Sequence, residues 1–502
     1  MSAFTKSLRK IQSDSHILNN PSFAELRRLS RKEKPKQTKF GSPVYGTKLK
    51  GRSAKFTKIV EGKPTPEQTR LLEEVAEYLK GKTVISLDRK MGTTKPFYCR
   101  AYVSANYPHI PYLWGKMLFP APKGKSPDFT SVQLPEWPET KVLVDPKSGI
   151  TFILGSDYTG ELKKANLRLA MYQTKKQGGL GLHAGAKLLR LRGQRGKLEN
   201  KGVLLFGLSA TGKTTLTCHS HWLDKKKGEG TVIRQDDVVL MQPDSYCRGT
   251  EDNFYIKTDA LEPEDQPILY KAAKSKNALF ENVKVKRSGE LDFFDDSITT
   301  NGRAVVLRSE MKDTDKKIDL PQTHMIIFLT RRNTIIPPVA KLTNEQAAAF
   351  FMLGESMGSA ASDVSPGKPR RVVGTNPFII GSEAEEGNRF YKIISSNPHL
   401  DCYFLNTGSI GAGGKGKPEK ITVRDSATII KEIARGTLKW REDPDWGYLV
   451  LDEVPGVEVS KFHPENLYSK EQYSRLTKAL KKERVAWLAK FPKLNPKIKQ
   501  SI

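Results

Sequence analysis

The chain of 502 residues carries 84 Lys and Arg against 55 Asp and Glu, a formal net charge of +29, and 37% of its residues are apolar. That length supports two or three domains with a sizeable core, and no apolar run approaches the roughly 18 to 20 residues that span a bilayer. Four cysteines, Cys99, Cys218, Cys247 and Cys402, lack CxxC or other ligand spacing, which points to neither a disulfide framework nor a structural zinc site and fits a reducing compartment.

The opening MSAFTKSLRKIQSDSHILNN holds basic residues but no continuous apolar segment, so it does not form a secretory signal and a cytoplasmic location is expected. Residues 1 to 60 carry 15 Lys and Arg against 3 Asp and Glu, and a second basic stretch, 478-KALKKERVAWLAKFPKLNPKIK-499, closes the chain. Such blocks mark a nucleic-acid or anionic contact, or a solvated face. No zinc-finger or RNP signature is present and aromatics do not interleave with the basic runs, which argues against nucleic acid and leaves an anionic partner open.

Residues 1–40 read as a basic N-terminal arm, part helix and part extended. In 41–200, TPEQTRLLEEVAEYLK (65–80) predicts a helix: Thr65 can cap it, Pro66 suits its first turn, and Leu71, Leu72, Val75 and Leu79 recur at helical spacing. Short β-like runs follow at 83–87, 141–144 and 150–154, giving a mixed α/β domain. From about 201 the texture becomes a buried strand (203-VLLF-206), a glycine loop and a helix, then strands at 231–235, 303–307 and 324–330. That order predicts a nucleotide-binding α/β core over 201–460. Two loops inside it, 354–374 and 408–420, read as surface loops or lids. Residues 461–502 form a basic helical extension, and no internal repeat is present.

The loop 207-GLSATGKTTLT-217 satisfies G-x-x-x-x-G-K-[ST] through Gly207, Gly212, Lys213 and Thr214. Such a loop wraps phosphates in backbone N–H groups, its lysine reaches the terminal phosphates and its hydroxyl can ligate Mg²⁺. A strand before it and a helix after it supply the context the motif demands. Asp236 and Asp237 follow a β-branched run, where they can serve two metal ions or simply cap a loop. His183, in 178-GGLGLHAGAKLL-189, and Lys163 and Lys164, in 155-GSDYTGELKKANLRLAMY-172, read alone as a core histidine and helix-face charges.

Taken together these segments resemble the ATP-dependent phosphoenolpyruvate carboxykinases. The run Tyr158-Thr-Gly-Glu-Leu-Lys-Lys164, then His183, GLSATGKTT and the paired Asp keep that family's order. So do 20-NPSFAEL-26, 51-GRS-53, 249-GTEDNFYIKT-258, 280-FENV-283, 295-DDSITTNGRA-304, 337-PPVAKLT-343 and 405-LNTG-408. The likeness runs collinearly from about residue 20 to about 435.

The resemblance implies a two-domain α/β carboxykinase architecture, with a mixed α/β N-terminal domain, a P-loop mononucleotide-binding C-terminal domain and the active site in the cleft between them. It implies decarboxylation of oxaloacetate and phosphorylation of the enolate by ATP, giving phosphoenolpyruvate, ADP and CO₂, reversibly. By the family's pattern Lys164, His183 and Asp237 would ligate Mn²⁺, while Mg²⁺ with ATP would sit at Thr214 with Asp236 in its outer shell. Arg52 would grip a substrate carboxylate and Tyr158 would line the substrate pocket. Lys163 and Arg303 would neutralise developing charge. Gly207, Ser209, Ala210, Thr211, Gly212, Lys213, Thr214 and Thr215 would hold phosphates, and Lys420 and Ser426 would stand where the family contacts the base.

The sequence departs from the pattern at several places. Ala210 replaces a glycine, which is tolerable if φ stays below zero; Ala54 replaces Pro, and Val238-Val239 replaces Glu-His. Lys420 stands for an arginine and cannot stack as guanidinium does. Segment 354–374 lacks a Gly-Thr-Glu signature, and a lid that failed to close would admit water and give pyruvate. The alternatives are another kinase on the same P-loop core, or a nucleotide-regulated nucleic-acid-binding protein.

Overall fold

A computed structural model of the protein describes residues 1–51, 54–208, 210–357 and 368–502. The chain divides into two compact units, the first Met1–Gln173 with Thr250–Pro263 and Leu269–Met311, the second Thr174–Gly249 with Glu264–Ile268 and Lys312–Ile502. The division thus falls at 173, not near 200. Residue 200 lies in an antiparallel hairpin in which Ala184–Arg192 pairs with Leu198–Phe206 over nine residue pairs, and a hairpin of that length cannot be parted between units.

In the first unit the basic N-terminus is folded in. Helix Ala3–Asp14 is capped by Ser2, whose hydroxyl accepts the Thr5 N–H at 3.2 Å. It buries Phe4, Leu8 and Ile11 in a cluster with Leu71, Leu72, Val75 and Leu79 of helix Pro66–Leu79. The latter helix starts as its sequence predicts, with Thr65 and Gln68 forming a reciprocal capping box. The expected arm therefore contributes an apolar stripe to the core and turns its charges outward.

His16–Asn19 next enters the edge of a mixed sheet. Its order continues Thr83–Met91, Phe97–Ser104, Phe129–Leu134, Ile150–Leu154, Lys141–Asp145 and Thr57–Ile59. A second sheet of the same unit runs Phe254–Lys257, Arg303–Val306, Leu279–Glu281, Pro43–Tyr45 and Lys36–Gln37. Strand 303–307, expected in the nucleotide-binding core, therefore belongs here. Antiparallel pairing with Phe254–Lys257 and Leu279–Glu281 fixes it.

The second unit is built on a sheet ordered Gly230–Gln235, Ala184–Arg192, Leu198–Phe206, Met325–Thr330, Asp401–Asn406, Val339–Leu342, Leu449–Leu451 and Trp440–Glu442. Leu198–Phe206, Met325–Thr330 and Asp401–Asn406 are mutually parallel and almost wholly buried beyond Lys201, as strands covered on both faces must be. A smaller sheet, Leu180–Leu182, Val239–Met241 and Cys247–Gly249, lies beside it in sequence. The C-terminal extension is helical, Lys470–Leu488 and Pro496–Gln500. Its Leu480, Leu488, Phe491, Leu494 and Ile498 are buried in one cluster with Phe206, Phe328 and Phe404 of the main sheet.

Candidate active site

The phosphate loop leaves the carboxyl end of the buried strand Leu198–Phe206, where ligands of open α/β sheets bind. Gly207 is required by packing: a Cβ there would meet Thr211 Oγ1 at 2.2 Å. Gly212 takes φ +84° and starts helix Lys213–Thr217. Ala210 has φ +68°, so the condition under which alanine replaces glycine without strain is not met. The loop needs a left-handed residue at this point, and alanine there costs about 1–2 kcal/mol. The loop is braced from neighbouring strands: Arg331 donates to the Ala210 carbonyl at 2.9 Å, and the Thr407 hydroxyl donates to the Thr211 carbonyl at 2.8 Å.

Behind the helix, Lys187 is fully buried and donates to the carbonyls of Leu216 and His219, both at 2.8 Å, and meets His221 Nε2 at 2.7 Å. It answers the orphan carbonyl end of that short helix, and burial pushes its ammonium down to about 7.

His183 and Asp237 meet because two strands leave the main sheet at one level. His183 lies between Leu180–Leu182 of the small sheet and Ala184–Arg192 of the large one, while Asp236–Val238 lies between Gly230–Gln235 and Val239–Met241. Ala186 pairs with Gln235 and Leu182 with Val239. The two crossings are therefore in register, and His183 Nε2 comes 3.0 Å from Asp237 Oδ1. Lys213 Nζ is 3.8 Å from the same oxygen.

His183 Nδ1 stands 2.6 Å from the Thr375 carbonyl and Phe378 packs edge-on to the ring. A carbonyl only accepts, so Nδ1 carries the hydrogen, and Nε2 is turned on the carboxylate. Two acceptor atoms at that distance need a proton or a cation to hold them, so this pair suits a divalent ion ligated by nitrogen and oxygen. Among the described residues no three His, Cys, Asp or Glu side chains converge as a metal cluster; the expected set includes a lysine.

The first unit gathers the other expected groups. Lys163 and Lys164 lie on helix Thr159–Lys176. Lys163, 2% exposed, pairs with Glu251 at 3.0 Å and stands 5.4 Å from the Tyr255 ring centroid. Lys164 is turned about 100° round the axis and is half-buried. Arg303 faces the same Tyr255 ring at 5.5 Å and donates to Asn301 Oδ1 at 2.7 Å. Asn301 Nδ2 in turn reaches Tyr158 Oη at 3.4 Å and the Lys50 carbonyl at 2.7 Å. Gly160 is needed here, since a Cβ would lie 2.4 Å from the Tyr158 ring.

Beneath this group, Glu281 accepts the Tyr255 hydroxyl at 2.7 Å and the Thr159 N–H at 3.0 Å. Burial and the Glu281 carboxylate push the Tyr255 hydroxyl well above its usual range, so it remains a donor. His109 lies between Glu281, 3.7 Å from Nε2, and Glu33, which bonds Nδ1. Its burial opposes charge, but the two carboxylates outweigh it and hold the imidazolium up at about 10.

Arg52 and Ser209 lie outside the described residues, as does 358–367 of the segment expected as a lid. Thr214 and Thr215 are half-buried in the phosphate-loop helix, and Asp236 is 6% exposed. Lys420 is exposed, in a strand pair with Ser409–Ile410, and Ser426 is buried on helix Val423–Arg435. The sequence reading missed Glu251, Tyr255, Glu281, Asn301, Arg331 and Thr407. All but Arg331 fall within recognised motifs, so the signal was present, but their roles depend on which chain segments meet.

These features define a mixed α/β protein in which a loop of G-x-x-x-x-G-K-[ST] pattern adjoins a His–Asp pair. A family model described as phosphoenolpyruvate carboxykinase matches residues 15–460. The chain is 35% identical over 429 residues to the phosphoenolpyruvate carboxykinase (ATP) of Aeropyrum pernix, covering 85% of each chain. Similarity to the proteins of that name from Brucella melitensis and a Methylobacterium species is 28% in each case. The first covers 81% of this chain and 76% of the relative, the second 80% and 76%. The chain belongs to the ATP-dependent phosphoenolpyruvate carboxykinase family.

Proposed function

We propose that the protein converts oxaloacetate and ATP to phosphoenolpyruvate, ADP and CO₂, reversibly, as its family does. The observation that carries the site reading is the convergence of Lys213 and His183 on the Asp237 carboxylate. It joins the phosphate loop to a metal-binding pair within one unit. Residues of each unit carry part of the reaction.

Loss of CO₂ from oxaloacetate itself generates the nucleophile, an enolate, so no general base is required. The demand is for positive charge around the enolate oxygen and the transferred phosphoryl group. Arg52 grips a substrate carboxylate and Tyr158 lines the substrate. Lys163 and Arg303, both held against Tyr255, supply fixed charge that needs no reorganisation during the reaction. Gly207, Ser209, Ala210, Thr211, Gly212, Lys213, Thr214 and Thr215 hold the phosphates.

Lys164, His183 and Asp237 would hold Mn²⁺, and Thr214 with Asp236 the Mg²⁺ that accompanies ATP. Bound there, the cations supply charge stabilisation for the enolate and the phosphoryl oxygens. Lys420 and Ser426 border the base, so adenine selectivity rests on weaker contacts than phosphate binding does. The two-domain carboxykinase arrangement, with a P-loop mononucleotide domain, belongs to the same proposal.

No helix of the described residues is long and apolar enough to cross a membrane. The four cysteines are buried, consistent with a cytoplasmic enzyme of gluconeogenic or anaplerotic metabolism. The test is the reverse reaction: phosphoenolpyruvate, bicarbonate, ADP and Mn²⁺ should yield oxaloacetate, read as NADH oxidation by coupled malate dehydrogenase. Oxaloacetate formation independent of ADP would exclude this function.

A further inference from the structure

The family match ends at residue 460, yet the helix beyond it, Lys470–Leu488, places two charged side chains in a charge cluster of the second unit. Arg484, 1% exposed, bonds both oxygens of Glu355, itself 2% exposed. Arg371 and Arg332 close on the same carboxylate at 2.9 and 3.2 Å. Glu483 accepts from Arg332 at 2.9 Å and from Arg371. Although burial opposes its charge, the three arginines hold the Glu355 carboxyl well below its usual range. A buried charge cluster whose members come from four chain segments fixes their mutual placement and tolerates little slippage.

Two of those segments lead to the phosphate loop. Arg332 directly follows Arg331, the residue that donates to the Ala210 carbonyl. Glu355 opens strand Glu355–Met357, whose Met357 N–H donates to the Arg331 carbonyl at 3.2 Å. Arg331 thus lies between Arg332, which Glu483 binds, and the strand that begins at Glu355, which Arg484 binds. The loop it braces is the one strained at Ala210, where a left-handed alanine depends on its surroundings.

We propose that the C-terminal helix Lys470–Leu488, through Glu483 and Arg484, is a positioning element that sets the phosphate loop for nucleotide by way of Arg332 and Arg331. This rests on the reading of that loop as the ATP site. The helix touches no phosphate; it acts by fixing the strand end from which Arg331 reaches the loop. A purely electrostatic role makes a different forecast. The cluster holds three arginines and two glutamates, so Glu483→Gln adds net positive charge whereas Arg484→Met removes it. Charge alone would tighten ATP in the first variant and loosen it in the second, while positioning loosens both.

The experiment is calorimetric titration of the full-length protein with MgATP, alongside steady-state kinetics and thermal unfolding, for wild type, Glu483→Gln and Arg484→Met. Expected is an ATP Kd and KM raised by about 3- to 30-fold in both variants, with the oxaloacetate KM unchanged and the unfolding midpoint of Glu483→Gln close to wild type. Should Arg484→Met fail to fold, Glu483→Gln decides alone: unchanged or tighter ATP binding overturns the proposal. Equal losses for ATP and oxaloacetate would also overturn it, as the mark of a merely structural role. No ATP binding by the wild-type protein would overturn the reading of the loop, and this inference with it.

Discussion

Replacing His109 by Gln tests the charge network beneath the first unit's cationic residues. His109 is buried between Glu33 and Glu281, and its imidazolium is held from an ordinary 6.5 up to about 10. The folded state therefore keeps a proton that the unfolded chain gives up above about pH 6.5. Its stabilisation is fully present below that pH and is lost as pH rises through the folded value. Across this window the slope is about −1.4 kcal/mol per pH unit. Between pH 7 and 9 the wild type should thus lose about 3 kcal/mol relative to H109Q.

The comparison with the variant is essential, because Lys187 of the second unit runs the other way. Its ammonium is pushed down to about 7, so its contribution rises with pH over much of the same window. Urea unfolding of both proteins at a series of pH values gives the difference, and NMR titration of the His109 ring gives the folded value directly. A stability difference independent of pH over this window, or a ring that titrates near 6.5, would refute the reasoning.

Ala210→Gly relieves a left-handed alanine, worth about 1–2 kcal/mol, against about 0.4–1 kcal/mol of added unfolded-chain entropy. The variant should unfold at an equal or higher urea concentration and keep ATP affinity. A loss of about 0.5–1 kcal/mol would instead indicate negative φ. Asp237→Asn removes the charge that faces both His183 and Lys213. Mn²⁺ affinity, followed by electron paramagnetic resonance of the free ion, should fall by at least about 10- to 100-fold, the range that even an outer-shell partner is worth; an unchanged affinity would remove Asp237 from the site.

What the sequence made legible is what neighbouring residues determine. The phosphate loop, its preceding strand, the Thr65 cap and the helix over Pro66–Leu79 all follow from contiguous pattern. The strand at Arg303 was readable as a strand, but its sheet was not, because partners 22 to 52 residues away decide it. His183 and Asp237 could be named by resemblance, whereas their contact depends on two sheet crossings falling in register. Ala210's sign of φ is set by the loop's closure and not by alanine's own preference. The basic ends gave no hint of their packing: net charge hid the apolar stripe of Phe4, Leu8 and Ile11, and the pair Glu483–Arg484 reads as an ordinary helix surface.

The most direct test of the functional account is a forward assay of the purified protein with oxaloacetate, Mn²⁺ and Mg²⁺, with ATP or GTP in parallel. Phosphoenolpyruvate and pyruvate are followed separately, and Lys164→Ala serves as the control. The account predicts phosphoenolpyruvate with ATP, dependent on Lys164. Pyruvate as the sole product, or phosphoenolpyruvate undiminished in Lys164→Ala, would contradict it.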